Sequence, residues 1–142
     1  NNFSLAKQMF VQCLHICPQD PLVYNELGVL LYREGDYLRA EGHLKRALSL
    51  VPNGNLSTRW EPTVVNLAHS LRKLGRHKEA LGWYDKALGL CPSQSGTYAA
   101  IGYTQHLTGD LVSAIENYHI ALGIRPEDTF TAEMLTAALQ EE

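Results

Sequence analysis

Apolar residues recur along this chain at helical spacing, in short blocks separated by glycine, proline and polar residues. Phe3, Ala6, Phe10, Cys13 and Leu14 form one such set. Tyr24, Leu27, Gly28 and Leu31 form the next, followed by Leu44, Ala47 and Leu48. Later blocks carry Leu67, Ala68 and Leu71, then Ala80, Tyr84 and Ala87, then Tyr98, Ile101 and Gly102. Ala114, Tyr118 and Ala121 follow, and Met134, Leu135 and Leu139 end the series. Steps of three and four residues place each set on one helix face, so every block predicts an amphipathic helix.

The blocks also repeat among themselves. From Trp60 to Pro92 the sequence reads as two helices joined by a tight turn at Leu74-Gly75-Arg76, closed by a proline. Gly75, Ala80, Ala87 and Pro92 return one repeat later as Gly109, Ala114, Ala121 and Pro126. Upstream, across a somewhat longer step, they are Gly35, Ala40, Ala47 and Pro52. A period of about 34 residues with this alternation of small and large side chains marks a tetratricopeptide-repeat (TPR) array. The fold predicted is therefore all-α, a TPR superhelix built as a solenoid of antiparallel helix pairs. Residues 1–142 form a single array. A truncated repeat contributes its second helix over 1–18, and complete repeats cover 20–52, 60–92 and 95–126. An inter-repeat loop spans 53–59, and a terminal helix covers 128–142. Asn1 falls where later repeats place Gly35, Gly75 and Gly109, so it is expected to serve as a turn residue. An array that opens midway through a repeat is the pattern expected of a segment of a longer protein.

Local signals support these elements. Asp20-Pro21 supplies an N-cap and a first-turn proline, and Glu61-Pro62 suits a helix start. Gly28 is expected to let the second helix approach closely through Ala40, which offsets the roughly 1 kcal/mol that glycine costs inside a helix. Either Asp128 or Thr129 caps the last helix. The residues NGNLSTR at 53–59 are polar and turn-forming, and an exposed loop is expected there.

Composition narrows the chemistry. Hydrophobic content of 45% with 19% charged residues belongs to a folded chain. A net charge of −3, without a run of either sign, offers no basic patch for nucleic acid. No apolar run reaches membrane-spanning length, so no membrane partner is expected. Cys13, Cys17 and Cys91 are expected to be small buried hydrophobes and not a disulfide or metal set. The histidines stand in no metal-ligand spacing, and no nucleophile-base pattern or phosphate loop is present. No catalytic residue, metal or cofactor is therefore assigned.

What the repeat core does not explain is a second stripe on each first helix. It carries Asn25, Val29, Tyr32 and Arg33, then Val65, His69, Arg72 and Lys73, then Ala99, Tyr103 and His106. Stacking would align these residues into one groove of aromatic, imidazole and cationic groups. Such a surface suits an extended or helical peptide, with aromatic anchors for affinity and charges for register.

Particular strings go beyond the repeat pattern. WEP at Trp60, RKL ending at Leu74, EALGWYDKALGLCP at 79–92, TYAAIGY at 97–103 and YHIALGIRPEDTF at 118–130 carry the likeness. So does the run PQDP opening at Pro18. Together they resemble the C-terminal repeats of the cell division cycle sixteen type of TPR subunit in the anaphase-promoting complex (cyclosome). That resemblance covers essentially the whole chain. It implies a non-catalytic scaffold of a ubiquitin ligase acting in mitosis, in the nucleus and cytoplasm. It also implies a concave groove holding an extended peptide of a small partner subunit, and contacts with other TPR subunits. The partner-facing residues carried over are Asn25, Val29, Tyr32, Asn66, His69, Arg72, Tyr103 and His106. Dimerisation in the family uses other repeats, so a monomer is expected. Two alternatives stay open. One is a co-chaperone type of adaptor binding acidic C-terminal tails, for which Arg33, Arg72 and Lys73 are placed. The other is the TPR region of a larger enzyme.

Overall fold

The computed structural model describes residues 2–142; the expected turn role of Asn1 lies outside them. The regular elements are eight α-helices: α1 (Asn2–Ile16), α2 (Pro21–Glu34), α3 (Tyr37–Ser49), α4 (Glu61–Lys73), α5 (His77–Leu90), α6 (Ser95–Leu107), α7 (Leu111–Ile124) and α8 (Thr129–Glu141). Among the described residues there is no β-strand. Helices α2 and α3, α4 and α5, and α6 and α7 pack as hairpins. The sequential contacts α3 to α4, α5 to α6 and α7 to α8 then stack one hairpin on the next. The chain is thus an all-α solenoid of helix pairs.

Each hairpin turns on the same device. Gly35, Gly75 and Gly109 sit at φ 88°, 81° and 86°, in the left-handed region that a side chain disfavours. At each turn the glycine N–H and the next N–H donate back to the first helix. Gly75 reaches the Arg72 carbonyl at 3.0 Å and Arg76 the Leu71 carbonyl at 2.9 Å, which satisfies carbonyls the helix end would leave open. Asp36 and Asp110 then cap the second helices, accepting from Arg39 N and Ser113 N at 3.2 and 3.3 Å. Arg76 occupies the equivalent place in the middle repeat and cannot cap. It donates instead to Glu79 and, across to the preceding repeat, to Glu41 at 2.7 Å. Lys45 reaches the same Glu41 carboxylate at 2.8 Å. Burial alone would raise the pKa of Glu41, but bonds from Lys45 and Arg76 hold it below the usual carboxylate range.

The core runs along the hairpin interfaces. Ala40, Leu44, Ala47, Val64, Leu67, Ala68, Leu71, Ala80, Tyr84 and Ala87 are fully buried. Gly28 does allow close approach, but its principal neighbour is Leu44 and not Ala40. A Cβ there would come within 2.6 Å of the Leu44 side chain, against 3.4 Å from the Ala40 carbonyl oxygen. Gly102 plays the same part opposite Tyr118, whose ring would stand 2.8 Å from an added Cβ. Asp128, not Thr129, caps α8, accepting from Thr131 N at 3.3 Å.

One expectation is corrected, and the inter-repeat segment gains detail. Cys13 and Cys17 are exposed and Cys91 is only half-buried. The reason is that α1 packs chiefly on α2, and none of its described residues is buried. The segment after α3 is exposed at Gly54, Asn55, Ser57, Thr58 and Arg59, and it is not wholly irregular. It forms two short 3₁₀ turns, Pro52–Gly54 and Thr58–Trp60. Val51 and Trp60 are buried at its ends, Leu56 packs on the core, and the Thr58 hydroxyl donates to the Leu90 carbonyl at 3.2 Å.

Candidate functional site

The first helices α4, α6 and α8 enclose an open cavity of about 420 Å³. Helix α4 contributes His69, Arg72 and Lys73. Helix α6 contributes Gly96, Ala99, Ala100 and Tyr103, and the start of α8 contributes Asp128 and Phe130. The repeat period accounts for the convergence. His69 and Tyr103 share one repeat position, and Gly96 and Phe130 share another, so stacking brings equivalent faces side by side.

An aromatic and cationic ladder crosses this face. Tyr32 on α2 lies 6.2 Å from the His69 ring, and the Arg72 guanidinium lies 5.2 Å above the Tyr103 ring. Tyr103 in turn is 6.1 Å from Phe130. Behind the ladder stands Tyr84 of α5, whose ring is fully buried. Its hydroxyl surfaces between two first-helix side chains: His69 Nδ1 lies 2.6 Å away, and Arg72 Nε donates to it at 3.3 Å. Burial, with the charges of Arg72 and Lys73 added, pushes the His69 pKa down to about 4. His69 is therefore neutral at physiological pH. Burial likewise raises the Tyr84 pKa, so its proton stays in place.

The candidate residues divide into groups. His69, Arg72 and Tyr103 converge on the cavity, and Tyr32 joins them through His69. Asn25 is engaged between repeats, where its Oδ1 accepts from the Thr63 hydroxyl at 2.7 Å. His106 points elsewhere: its Nδ1 faces the Tyr118 hydroxyl at 3.2 Å, and its Nε2 faces Glu141 of α8 at 3.0 Å. Val29 and Asn66 are half-buried and do not line the cavity. Asn66 follows Val65, the residue in register with Asn25 and Ala99. The sequence stripe does not contain Phe130 and Asp128, because it follows the first helices of the three complete repeats alone. The repeat register held the signal, since Phe130 falls one repeat beyond Gly96.

Among the described residues no group of three His, Cys, Asp or Glu converges as metal ligands, and no helix is long and apolar enough to cross a membrane. The cavity offers hydrogen-bond donors, one acid on its rim and two aromatic rings.

Comparison with known proteins places this geometry. The tetratricopeptide repeat model matches residues 21–53 and again residues 63–96. Anaphase-promoting complex subunit 6 of Arabidopsis thaliana is 46% identical over 142 residues, covering 100% of this chain and 26% of that protein. The cell division cycle protein 16 homolog of Homo sapiens is 42% identical over 138 residues, covering 95% of this chain and 22% of its own length. Among solved structures, the anaphase-promoting complex hetero-tetramer Cut9–Hcn1 superposes with a TM-score of 0.91 at 29% identity. That match covers 97% of this chain and 27% of the other. The chain thus spans about a quarter of the length of these relatives.

Proposed function

The chain belongs to the tetratricopeptide-repeat homologues of anaphase-promoting complex subunit 6, and on that premise we propose that it is a non-catalytic scaffold segment of that ubiquitin ligase. Its first-helix face holds an extended peptide of a small partner subunit. Other TPR subunits of the complex are its further neighbours, and its place of work is the nucleus and cytoplasm. The observation that carries the reading is the ladder from Tyr32 through His69, Arg72 and Tyr103 to Phe130. It runs across four stacked first helices, with a cavity of about 420 Å³ along its α4 to α8 part. A single compact ligand would need one enclosed pocket. A ladder across successive repeats suits a chain that contacts each in turn. The structure named for Cut9–Hcn1 supports this reading, because there a relative of this chain is found assembled with a second protein.

Calorimetric titration with an N-terminal peptide of the small subunit tests the proposal. Saturable binding is expected, weakened by roughly 1–2 kcal/mol in Tyr103→Ala, as truncation of an aromatic anchor commonly costs. His69→Ala should weaken it as well. Wild-type affinity in both variants, with helicity intact, would remove the peptide from this face.

A further inference from the structure

The repeat period breaks between the first two complete repeats, where the step from Pro52 to Pro92 is longer than that from Pro92 to Pro126. Within the extra residues Leu56 folds onto the core. It borders a second open cavity, of about 260 Å³, on the second-helix face of the solenoid. Helix α3 contributes Lys45 and Leu48 to its wall, and α5 contributes Trp83 and Lys86. No described first-helix residue borders it, so it stands apart from the peptide groove.

Trp83 sets this cavity apart. Its repeat equivalents are His43 and Asn117, so the pairing of helices does not call for a large ring there. The indole is half-buried, packed partly on the core, and buried Leu48 and half-buried Leu56 complete the apolar wall. The volume falls below the roughly 300–1,000 Å³ of small-molecule pockets. It suits one anchoring side chain of a longer partner, not a whole free ligand. Both charged groups on the wall, Lys45 and Lys86, are exposed and positive, and no acid stands among them. Lys86 leans over the indole, its Nζ 5.1 Å from the ring centre, and enters no ion pair among the described residues. Lys45 gives one of its three hydrogens to Glu41 at 2.8 Å. Glu41 is buried and shared with Arg76 at 2.7 Å, so the rim stays net positive.

The geometry points to a second docking site, for an extended acidic segment of a partner protein. An aromatic side chain of that segment seats against Trp83 and Leu56, where ring contact adds to the area buried. Carboxylates on either side of it meet Lys45 and Lys86, whose methylenes cover the apolar wall while their ammonium heads stay in water. Because the site lies on second helices, it can be filled while the first-helix groove is occupied.

Spectra of the ¹⁵N-labelled chain test this, with the indole N–H of Trp83 as reporter. Three blocked tripeptides serve as probes: acetyl-Glu-Phe-Glu-amide, acetyl-Gln-Phe-Gln-amide and acetyl-Glu-Ala-Glu-amide. The first is expected to shift Trp83, Leu56 and Lys86 saturably. The glutamine probe should bind about fivefold more weakly, the size of two exposed ion pairs, and the alanine probe should leave Trp83 in place. Lys86→Gln should weaken the Glu-Phe-Glu probe alone, which separates a lost charge from a lost fold. Trp83→Asn, which installs the residue type found at Asn117 in the next repeat, should abolish binding of both phenylalanine probes with helicity retained. Equal affinity for the acid and amide probes would overturn the acidic partner. No shift at Trp83 up to the solubility limit, or shifts centred on His69 and Tyr103, would overturn the site. A Trp83 signal that moves with chain concentration alone would overturn it in favour of a second copy of the chain. The small-subunit peptide should bind equally well with the Glu-Phe-Glu probe present, and competition between them would overturn the separation of the two sites.

Discussion

Tyr84 and Tyr118 stand at the same position of successive repeats, and both rings are fully buried. Their hydroxyls nonetheless lead to different ends. Tyr84 meets both His69 and Arg72, and beyond them lies the open cavity. Tyr118 meets His106 alone, and beyond His106 stands Glu141, which occupies Nε2 at 3.0 Å. The same buried phenol thus stands behind a histidine that borders the open cavity in one repeat and behind a histidine engaged by an acid in the next. What a first-helix histidine faces is decided by what the following helix brings, not by its place in the repeat. Helix α8 sets Phe130 and Asp128 at the mouth of the first site and Glu141 over the second.

Acid should separate the two sites most strongly. The His69 pKa is about 4 in the folded chain, below its unfolded value near 6.5. The unfolded state therefore binds more protons between these values. His69 contributes stability that is full above about pH 6.5 and is lost as pH falls toward 4. The loss should approach roughly 2–3 kcal/mol, on the order of 1.36 kcal/mol per pKa unit. Urea titrations at both ends of the window should show this difference for the wild type and not for His69→Phe. An equal slope in both would mean that the carboxylates, not His69, carry the acid sensitivity.

Next in size is the helix contact behind Tyr118. Gly102→Ala would drive its Cβ into a ring 2.8 Å away that has nowhere to go. A destabilisation of about 1–3 kcal/mol from overpacking is expected, reduced by the helix propensity gained. Gly82→Ala, where nothing lies within 4 Å, should instead stabilise by roughly 0.5–1 kcal/mol. Thermal melts of both variants would check the pair, and a shift of the same sign in each would contradict the packing described.

Removing the hydroxyls comes third. Tyr84→Phe strips a partner from both His69 and Arg72 and should cost about 1–2 kcal/mol, while Tyr118→Phe strips one and should cost about 0.5–1 kcal/mol. The smallest stability effect belongs to Glu141→Gln. Glu141 is largely exposed, so the change should move the unfolding free energy by less than about 0.5 kcal/mol. It should nevertheless let His106 contribute to peptide binding, so that His106→Ala weakens binding in the Glu141→Gln background more than in the wild type.

The repeat was legible because its signals are local. Glycine at the left-handed turns, aspartate at the caps and alternating small and large residues each act within a few positions. Stacking at a fixed period then aligned His69, Arg72 and Tyr103 without any long-range knowledge. What escaped was non-periodic. The bond from Thr63 to Asn25 spans 38 residues and crosses the one junction where the repeat spacing changes. The contact from Glu141 to His106 spans 35 residues and depends on how the last helix docks. Cys13 has the sequence of a buried position, and its exposure follows from how few described helices reach α1. Leu56 looks like part of a polar loop, and only the 3₁₀ turns around it fold it onto the core.

A ¹H–¹⁵N correlation spectrum of the labelled chain, titrated with the small-subunit peptide, would locate the bound peptide residue by residue. Shifts are expected to concentrate at His69, Arg72, Ala99, Tyr103 and Phe130, with His106 little changed while Glu141 covers it. Shifts confined to second-helix residues such as Trp83 and Ile120, with the His69 region silent, would contradict a first-helix groove.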